Sequence, residues 1–218
     1  RDTLLYILFY GADSMKSTKI LLTGFTPFGG ESINPALEAV MRVKTPAAAV
    51  EIIPLEVPTV FSRSAETVIA AIEKHRPDAV ICVGQAGGRS AVTPERVAIN
   101  LDDARIPDNE GAQPVDAPIS PEAPAAYFST LPIKAMVQAI RAAGVPAEIS
   151  NSAGTYVCNH LIYSVLHYAA QMRPELRAGF IHVPYILEQT AGKDAPSLPL
   201  EDIIRALEAA VGTVAAEI

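Results

Sequence analysis

Short apolar runs alternate along this chain with longer stretches in which apolar residues recur at helical spacing. A continuous apolar run predicts a buried strand, and the helical repeat predicts an amphipathic helix packed on a core. The pattern predicts strands at 19–23, 50–57, 79–83, 96–101, 147–150 and 179–183, and helices at 35–43, 62–75, 133–143, 158–173 and 200–216. Strands alternating with helices favour an α/β fold of three layers, with a mostly parallel central sheet and helices on both faces. A site is then expected at the carboxyl ends of the strands.

No linker or internal repeat interrupts this pattern. A chain of 218 residues that is 50% hydrophobic can build one core, so we predict a single α/β domain over residues 15–218. Met15 resembles a natural start, and we interpret residues 1–14 as an N-terminal extension or an expression-derived leader, with an extra strand or a partner-binding arm as the alternative. The apolar run 4–10 within it is too short to span a bilayer.

Charge and cysteine content narrow the class of partner. The net charge is -7 without a basic cluster, which argues against a nucleic acid or an anionic membrane as partner. Two cysteines do not make a disulfide framework, and neither has metal-ligand spacing around it. We therefore expect a cytoplasmic protein that acts on a small or uncharged substrate.

Two loops stand out between the predicted elements. GFTPFGG, at 24–30, lacks the lysine and hydroxyl residue of a phosphate-binding loop, but Phe25 and Phe28 are expected to be exposed there as walls of a pocket. The segment 103–132 is rich in proline and has little periodicity. Long irregular segments of this kind are typically functional covers or interface elements.

Cys158 is the main candidate for chemistry. A turn at 151–154 separates the predicted strand 147–150 from the helix that begins at this cysteine. A helix N-terminus favours thiolate over thiol, and the thiolate is the nucleophile. The alternative for any free cysteine is a buried structural role, and we assign that role to Cys82 inside the apolar run 79–83.

A nucleophilic thiol needs a histidine base and a group that orients it. His160 and His167 share the helix of Cys158 but point away from it around the helix axis. His75 ends a helix on the side of the predicted sheet opposite to the carboxyl ends of the strands. His182 remains, near the carboxyl end of a strand. The orienting acid stays open between Glu95, Asp102, Asp103 and Asp116, of which Glu95 is favoured because it follows the rigid Pro94 at a sheet end.

Four motifs resemble the pyroglutamyl peptidase I family, also called pyrrolidone carboxyl peptidase: GFTPFGG, GQAGGRSAVTPERVAIN, DDARIPDNEG and SNSAGTYVCNH. The resemblance extends from Lys19 to about Gln189. It implies that Glu95, Cys158 and His182 form a catalytic triad. It also implies substrate-binding roles in a lactam pocket for Phe25, Phe28, Gln85, Arg105, Ile106, Tyr156 and Val157. Tyr156 departs from the family, which often has phenylalanine there, so its hydroxyl needs a partner.

The function implied by the resemblance is that of a cysteine exopeptidase. Such an enzyme removes an N-terminal pyroglutamyl (5-oxoproline) residue from peptides through a thioester acyl-enzyme, as a homotetramer and with neither cofactor nor metal. Two alternatives remain open, namely another cysteine amidase or thioesterase on the same fold, and a catalytically silent small-molecule binding module. Rapid alkylation of Cys158 by iodoacetamide would separate the enzymes from the binding module.

Overall fold

A computed structural model describes residues 17–45 and 47–218 of the chain. Its strands are β1 (Thr18–Phe25), β2 (Val50–Val57), β3 (Ala79–Gln85), β4 (Thr93–Pro94), β5 (Val97–Ile99), β6 (Ala126–Phe128) and β7 (Arg177–Val183). Its helices are α1 (Pro35–Val40), α2 (Arg63–His75), α3 (Ile133–Ala142), α4 (Val157–Met172), α5 (Leu187–Thr190) and α6 (Leu200–Ala216). The predicted leader, residues 1–14, lies outside the described residues.

The central sheet has the strand order β2-β1-β3-β7-β4. The first four strands are parallel, and β4 is antiparallel to β7. The chain moves outward from β1 to β2 and then returns to the other side of β1 for β3. Such a reversal opens a crevice at the carboxyl ends of the strands, where α/β proteins bind ligands.

Two apolar clusters cover the two faces of the sheet. Ile20 and Leu22 point to the face covered by α1, α3 and α6, whereas Leu21 between them points to the face covered by α2 and α4. This alternation follows from the two-residue period of a strand. The predicted α/β fold of three layers is therefore confirmed.

Several predicted boundaries are confirmed, and others are wrong. Strand β2 has the predicted limits, and α1 begins as predicted because the Asn34 side chain accepts a hydrogen bond from the Ala36 amide at 3.0 Å. However, α1 stops at Val40 instead of continuing to Val43, where the Arg42 amide donates to the Ala39 carbonyl at 2.9 Å and so replaces the helical i→i−4 pattern by a tighter i→i−3 turn. The remaining predicted helices appear within about two residues of their expected limits.

The strands predicted outside the parallel sheet are the weakest predictions. The segment 147–150 forms only isolated bridges, from Ala147 to Val92 and from Ser150 to Glu95. The strand predicted at 96–101 shortens to β5, which pairs with β6 in a separate two-stranded ribbon. Strand β6 itself lies inside the proline-rich segment that the sequence indicated to be irregular.

No helix of the described ranges is both long enough and apolar enough to cross a bilayer.

Candidate active site

Cys158 is the second residue of helix α4, as the sequence predicted to within one position. The preceding turn reverses the chain at Gly154, whose φ of +77° lies in the left-handed region that glycine adopts without strain. Leu161 and Ile162, one turn further on, are buried against the sheet and fix the start of the helix. The cysteine is therefore held on a rigid element.

The thiol of Cys158 lies directly against the backbone of β3. A side-chain carbon added at Gly84 would come within 2.9 Å of Sγ and 2.7 Å of the Phe180 ring, so Gly84 leaves the room that the thiol occupies. Gly84 is the register partner of His182 on β7. Phe180 and His182 are two positions apart and share one face of that strand. The thiol and the imidazole therefore share one face at the carboxyl end of the sheet.

His182 donates a hydrogen bond to Glu95. Its Nδ1 lies 2.7 Å from Oε1, and the two residues are only 4% and 2% exposed. Strand β4 places the carboxylate, because Thr93 pairs with His182 and the Glu95 amide donates to the Phe180 carbonyl at 2.9 Å. With Nδ1 as the donor, the neutral imidazole presents an unprotonated Nε2. A general base needs this tautomer.

Burial is the largest single influence on the pKa of each of these three groups, but at Glu95 the other contributions together outweigh it. It lowers the pKa of His182, although the Glu95 carboxylate partly offsets this effect. Burial alone would raise the pKa of Glu95, but the hydrogen bond and charge of His182, with smaller contributions from Ser150 and Arg89, bring that pKa below its ordinary value. At Cys158, burial raises the pKa and the charge of Glu95 raises it further, against the opposing charge of Arg89.

Burial at Cys158 acts against the thiolate that the helix N-terminus led us to expect, whereas the lowered pKa of Glu95 favours its ionised form and the lowered pKa of His182 favours its neutral form. A thiol whose pKa is raised needs an adjacent base to become a nucleophile.

The other histidines have different partners. The Nδ1 atom of His160 lies 2.7 Å from Asp102 Oδ2, and that of His167 lies 2.9 Å from the Tyr127 hydroxyl. His75 is the last residue of α2, at the amino end of the parallel strands. These positions agree with the elimination that left His182.

The structure also shows which of the four candidate acids contacts His182. Glu95 contacts His182, and Asp102 contacts His160 instead. Asp103 and Asp116 are exposed in the loop that follows β5. Within residues 17–45 and 47–218, no three His, Cys, Asp or Glu side chains are grouped so that they could hold a metal ion.

Aromatic rings pack together beside the start of α4. The Tyr156 ring lies 6.0 Å from Phe28 and 5.5 Å from Phe61, measured between centroids. The Tyr156 hydroxyl donates to the Pro107 carbonyl at 3.0 Å, which supplies the partner that the sequence left unknown. Phe61 was not predicted from the sequence, because it lies just before α2 among residues with no pocket signal.

Phe25 belongs to the core, so the expectation of an exposed ring is wrong for it. Strand β1 extends through this residue, which is 2% exposed and packs against Phe180 at 6.3 Å between centroids. Phe28 is half-buried in the loop, and Val157 is fully buried in the first turn of α4. Of the two loop aromatics, Phe28 is the one in reach of the Tyr156 ring.

The loop after β5 carries two more predicted pocket residues. Ile106 is half-buried, and its Cδ1 would lie 3.8 Å from a side-chain carbon added at Gly29. The loop after β5 therefore approaches the loop that follows β1. Arg105 is exposed. The arginine whose charge lowers the pKa of Cys158 is Arg89.

Gln85 ends β3 and is held by a residue that the sequence did not reveal. Gln189 Nε2 donates to Gln85 Oε1 at 2.9 Å and to the Ile33 carbonyl at 3.3 Å. Gln189 Oε1 accepts from the Ile186 amide at 3.2 Å, which fixes the orientation of its amide group. No periodic pattern marks the short helix α5 that carries Gln189, so the sequence offered no signal for this contact.

Known proteins resemble this chain over most of its length. A family model described as pyroglutamyl peptidase matches residues 18–217. The chain belongs to the pyroglutamyl peptidase family. The pyrrolidone-carboxylate peptidase of Levilactobacillus brevis is 58% identical over 197 residues, which cover 90% of this chain and 97% of that one. The corresponding peptidase of Alkaliphilus oremlandii is 57% identical over 194 residues, covering 88% and 91%.

Solved structures of this family share the fold. The crystal structure of Bacillus amyloliquefaciens pyroglutamyl peptidase I matches with a TM-score of 0.89 at 54% identity, covering 92% of this chain and 98% of that one. The family predicted from the four sequence motifs is therefore confirmed, and with it the class of enzyme, a cysteine peptidase of the pyroglutamyl peptidase type.

Proposed function

We propose that this protein hydrolyses the amide bond after an N-terminal pyroglutamyl residue, with Cys158 as nucleophile, His182 as general base and acid, and Glu95 as the acid that orients the imidazole. The observation that carries the proposal is the buried hydrogen bond of 2.7 Å between His182 and Glu95, beside a thiol seated against Gly84. It leaves Nε2 of the imidazole as an acceptor on the face that the thiol occupies.

In the first half of the reaction, Nε2 of His182 takes the thiol proton while Sγ of Cys158 attacks the acyl carbon. A tetrahedral intermediate forms, and its oxyanion needs hydrogen-bond donors. Tyr156, the N-cap of α4, makes no side-chain capping bond, so N–H groups of the first turn are available for this purpose. The C–N bond then breaks, and His182 passes the proton to the leaving amine.

In the second half, water resolves the thioester. His182 removes a proton from water, the oxygen bonds to the acyl carbon, and the S–C bond breaks as the thiol regains its proton. Glu95 remains ionised throughout and stabilises the imidazolium that forms twice in the cycle. The products are free pyroglutamate and a peptide with a new amino terminus.

The lactam ring sets the demands on the pocket. It is compact and neutral, with one N–H and one C=O on an apolar body. Phe28, Ile106 and Tyr156 can supply apolar walls, and Gln85 or nearby backbone the polar partners. A glutamyl terminus would bring an ammonium and a carboxylate into this site, which costs several kcal/mol without paired groups. A prolyl terminus lacks the lactam carbonyl and leaves a donor unpaired, at about 1 to 3 kcal/mol.

The test is a comparison of kcat/KM for pyroglutamyl, prolyl and glutamyl amides of one leaving group. We expect the pyroglutamyl substrate to exceed the prolyl one by roughly 10- to 100-fold, and the glutamyl one by more. Comparable cleavage of pyroglutamyl and prolyl substrates would return the protein to the broader cysteine amidase alternative. The folded Cys158→Ala variant is the control for contaminating peptidases.

We also propose a homotetramer located in the cytoplasm, built from one catalytic domain at 15–218 and a dispensable leader at 1–14. The family resemblance supports the tetramer, and two free cysteines are compatible with a reducing compartment.

The leader is tested by truncation. Light scattering and turnover of the full chain should match those of a chain that starts at Met15. A change in mass on truncation would instead make the leader an interface arm.

A further inference from the structure

Arg89 connects three segments that surround Glu95. Its Nη1 lies 2.7 Å from Glu95 Oε1 and also contacts the Thr93 hydroxyl, and its Nη2 donates to the Ser152 carbonyl at 3.1 Å. Thr93 belongs to β4, whereas Ser152 belongs to the turn that leads into the cysteine helix. One half-buried side chain thus links the loop between β3 and β4 (residues 86–92), the acid and the entry to α4.

The contact with Glu95 is made at the atom that His182 uses. Oε1 accepts from Arg89 on one side and from His182 Nδ1 on the other, both at 2.7 Å. The bond from the Arg89 guanidinium joins two ionised groups, and bonds of that kind are short and strong. Oε2 of the same carboxylate is buried without a hydrogen bond of good geometry, and the nearby Ser150 hydroxyl donates to the Ser152 carbonyl at 3.1 Å. The position of Oε1 therefore depends on Arg89.

We propose that Arg89 is a positioning residue for the reaction, which fixes Glu95 Oε1 so that the carboxylate holds His182 in its catalytic orientation. Arg89 does not touch the reacting atoms in this role. The inference rests on the triad roles proposed above. It adds to the proposed triad a residue that contacts Glu95 from the loop after β3.

The charge of Arg89 gives this role a measurable consequence. The ionisable groups around His182 are Glu95 beside β4, Arg89 in the loop between β3 and β4, and Cys158 on α4. Arg89 lowers the pKa of His182, whereas Glu95 raises it. Removing Arg89 should therefore raise the pKa of the imidazole, so that the neutral base is lost at a higher pH.

The test is Arg89→Met, with Arg89→Lys as the conservative variant and Arg96→Met as the matched control. Like Arg89, Arg96 ties the chain next to β4 to the turn before α4, since its Nε donates to Asn151 Oδ1 at 2.7 Å. Unlike Arg89, its side chain is bonded to neither Glu95 nor His182. For Arg89→Met we expect kcat to fall roughly 10- to 100-fold with KM changed less than about 3-fold. The acid limb of kcat/KM should move to higher pH. Arg89→Lys should recover part of both, and Arg96→Met should retain the wild-type profile.

Two results would overturn the inference. One is a folded Arg89→Met enzyme with wild-type kcat and an unmoved acid limb. The other is an equal loss in Arg89→Met and Arg96→Met without a pH shift, which would make Arg89 a structural tie only. A wild-type enzyme without pyroglutamyl amidase activity, or an active Cys158→Ala variant, would instead refute the proposed function itself. Circular dichroism and the Tm of each variant separate misfolding from these outcomes.

Discussion

His160 lies two residues beyond Cys158 on α4, yet it forms a hydrogen bond of 2.7 Å with Asp102. The ring also packs edge-on against Phe61 at 5.6 Å between centroids. Among the residues that the structure describes, two histidine–carboxylate pairs therefore lie close to the nucleophile in sequence or space. Only the pair of His182 and Glu95 shares the face of the sheet on which the thiol lies.

The two histidines should respond differently to substitution. His182→Ala should lower kcat by about 10³-fold or more, because it removes the proton acceptor of the thiol. His160→Gln keeps a donor for Asp102 and should stay within about 10-fold of wild type. Steady-state kinetics on folded variants test this prediction. Equal losses in both variants would mean that His160 takes part in catalysis.

The acid limb of the pH profile of kcat/KM reports the pKa of the His182 imidazole. Because burial lowers the pKa of His182, the limb of kcat/KM should lie below the ordinary histidine value of 6.5. Glu95 raises that pKa, so Glu95→Gln should move the limb to still lower pH while reducing kcat. This shift is opposite in sign to the one expected for Arg89→Met. An acid limb of the wild type clearly above 6.5 would contradict a buried neutral base.

The parallel sheet was predictable because its signals are local. Runs such as 79–83 are apolar without interruption, which is typical of a strand that is buried on both faces. The extra strands β4 and β6 have no such signal. Thr93 and Pro94 form a strand only because β7 lies beside them, and β6 exists only because β5 does. Pairing of this kind is tertiary, and periodicity does not record it.

Within the site, the same distinction applies. Cys158 and His182 follow from their places at a helix start and a strand end. Glu95 was one of four acids until the family motif indicated it. Gln189 was missed because its role depends on a contact with Gln85, which lies 104 positions earlier in the chain. Phe61 was missed because its role depends on a contact with Tyr156, which lies 95 positions later. No spacing rule connects residues so distant in sequence.

Tyr156→Phe should affect the loop more than the chemistry. Burial, followed by the charges of Asp108 and Cys158, raises the pKa of Tyr156 to about 12, so the hydroxyl remains a donor to Pro107 at working pH. The phenyl ring keeps the apolar wall. We expect kcat near wild type, KM raised a few-fold, and a stability loss of no more than about 1.5 kcal/mol. Faster proteolysis of the loop after β5 would report the lost tether, and a collapse of kcat would contradict this assignment.

Asp108 should stabilise the same loop in a pH-dependent way. It accepts hydrogen bonds of 2.9 Å from the amides of Phe61, Glu110 and Ala112. Burial would raise its pKa, but these bonds lower it below the ordinary value. The stabilisation is therefore complete above the unfolded-state pKa and is lost as the pH falls through the lower, folded-state value.

Asp108→Ala should then lower the free energy of unfolding by about 1 to 3 kcal/mol at neutral pH and by less near pH 3. Urea denaturation at both pH values measures this difference. Asp103→Ala removes an exposed carboxylate from the same loop and is the matched control. A loss for Asp108→Ala that does not change with pH would exclude the ionised carboxylate as its source.

The most direct test of the central claim is mass spectrometry of the enzyme quenched in acid during turnover of a pyroglutamyl amide. We predict one pyroglutamyl acyl group on the peptide that contains Cys158. Cys82 should stay unmodified, because it is fully buried and burial raises its pKa to about 12. Cys82→Ala should retain turnover, whereas Cys158→Ala should lose about 10³- to 10⁶-fold of it. Acylation of Cys82, or turnover retained by folded Cys158→Ala, would contradict the account.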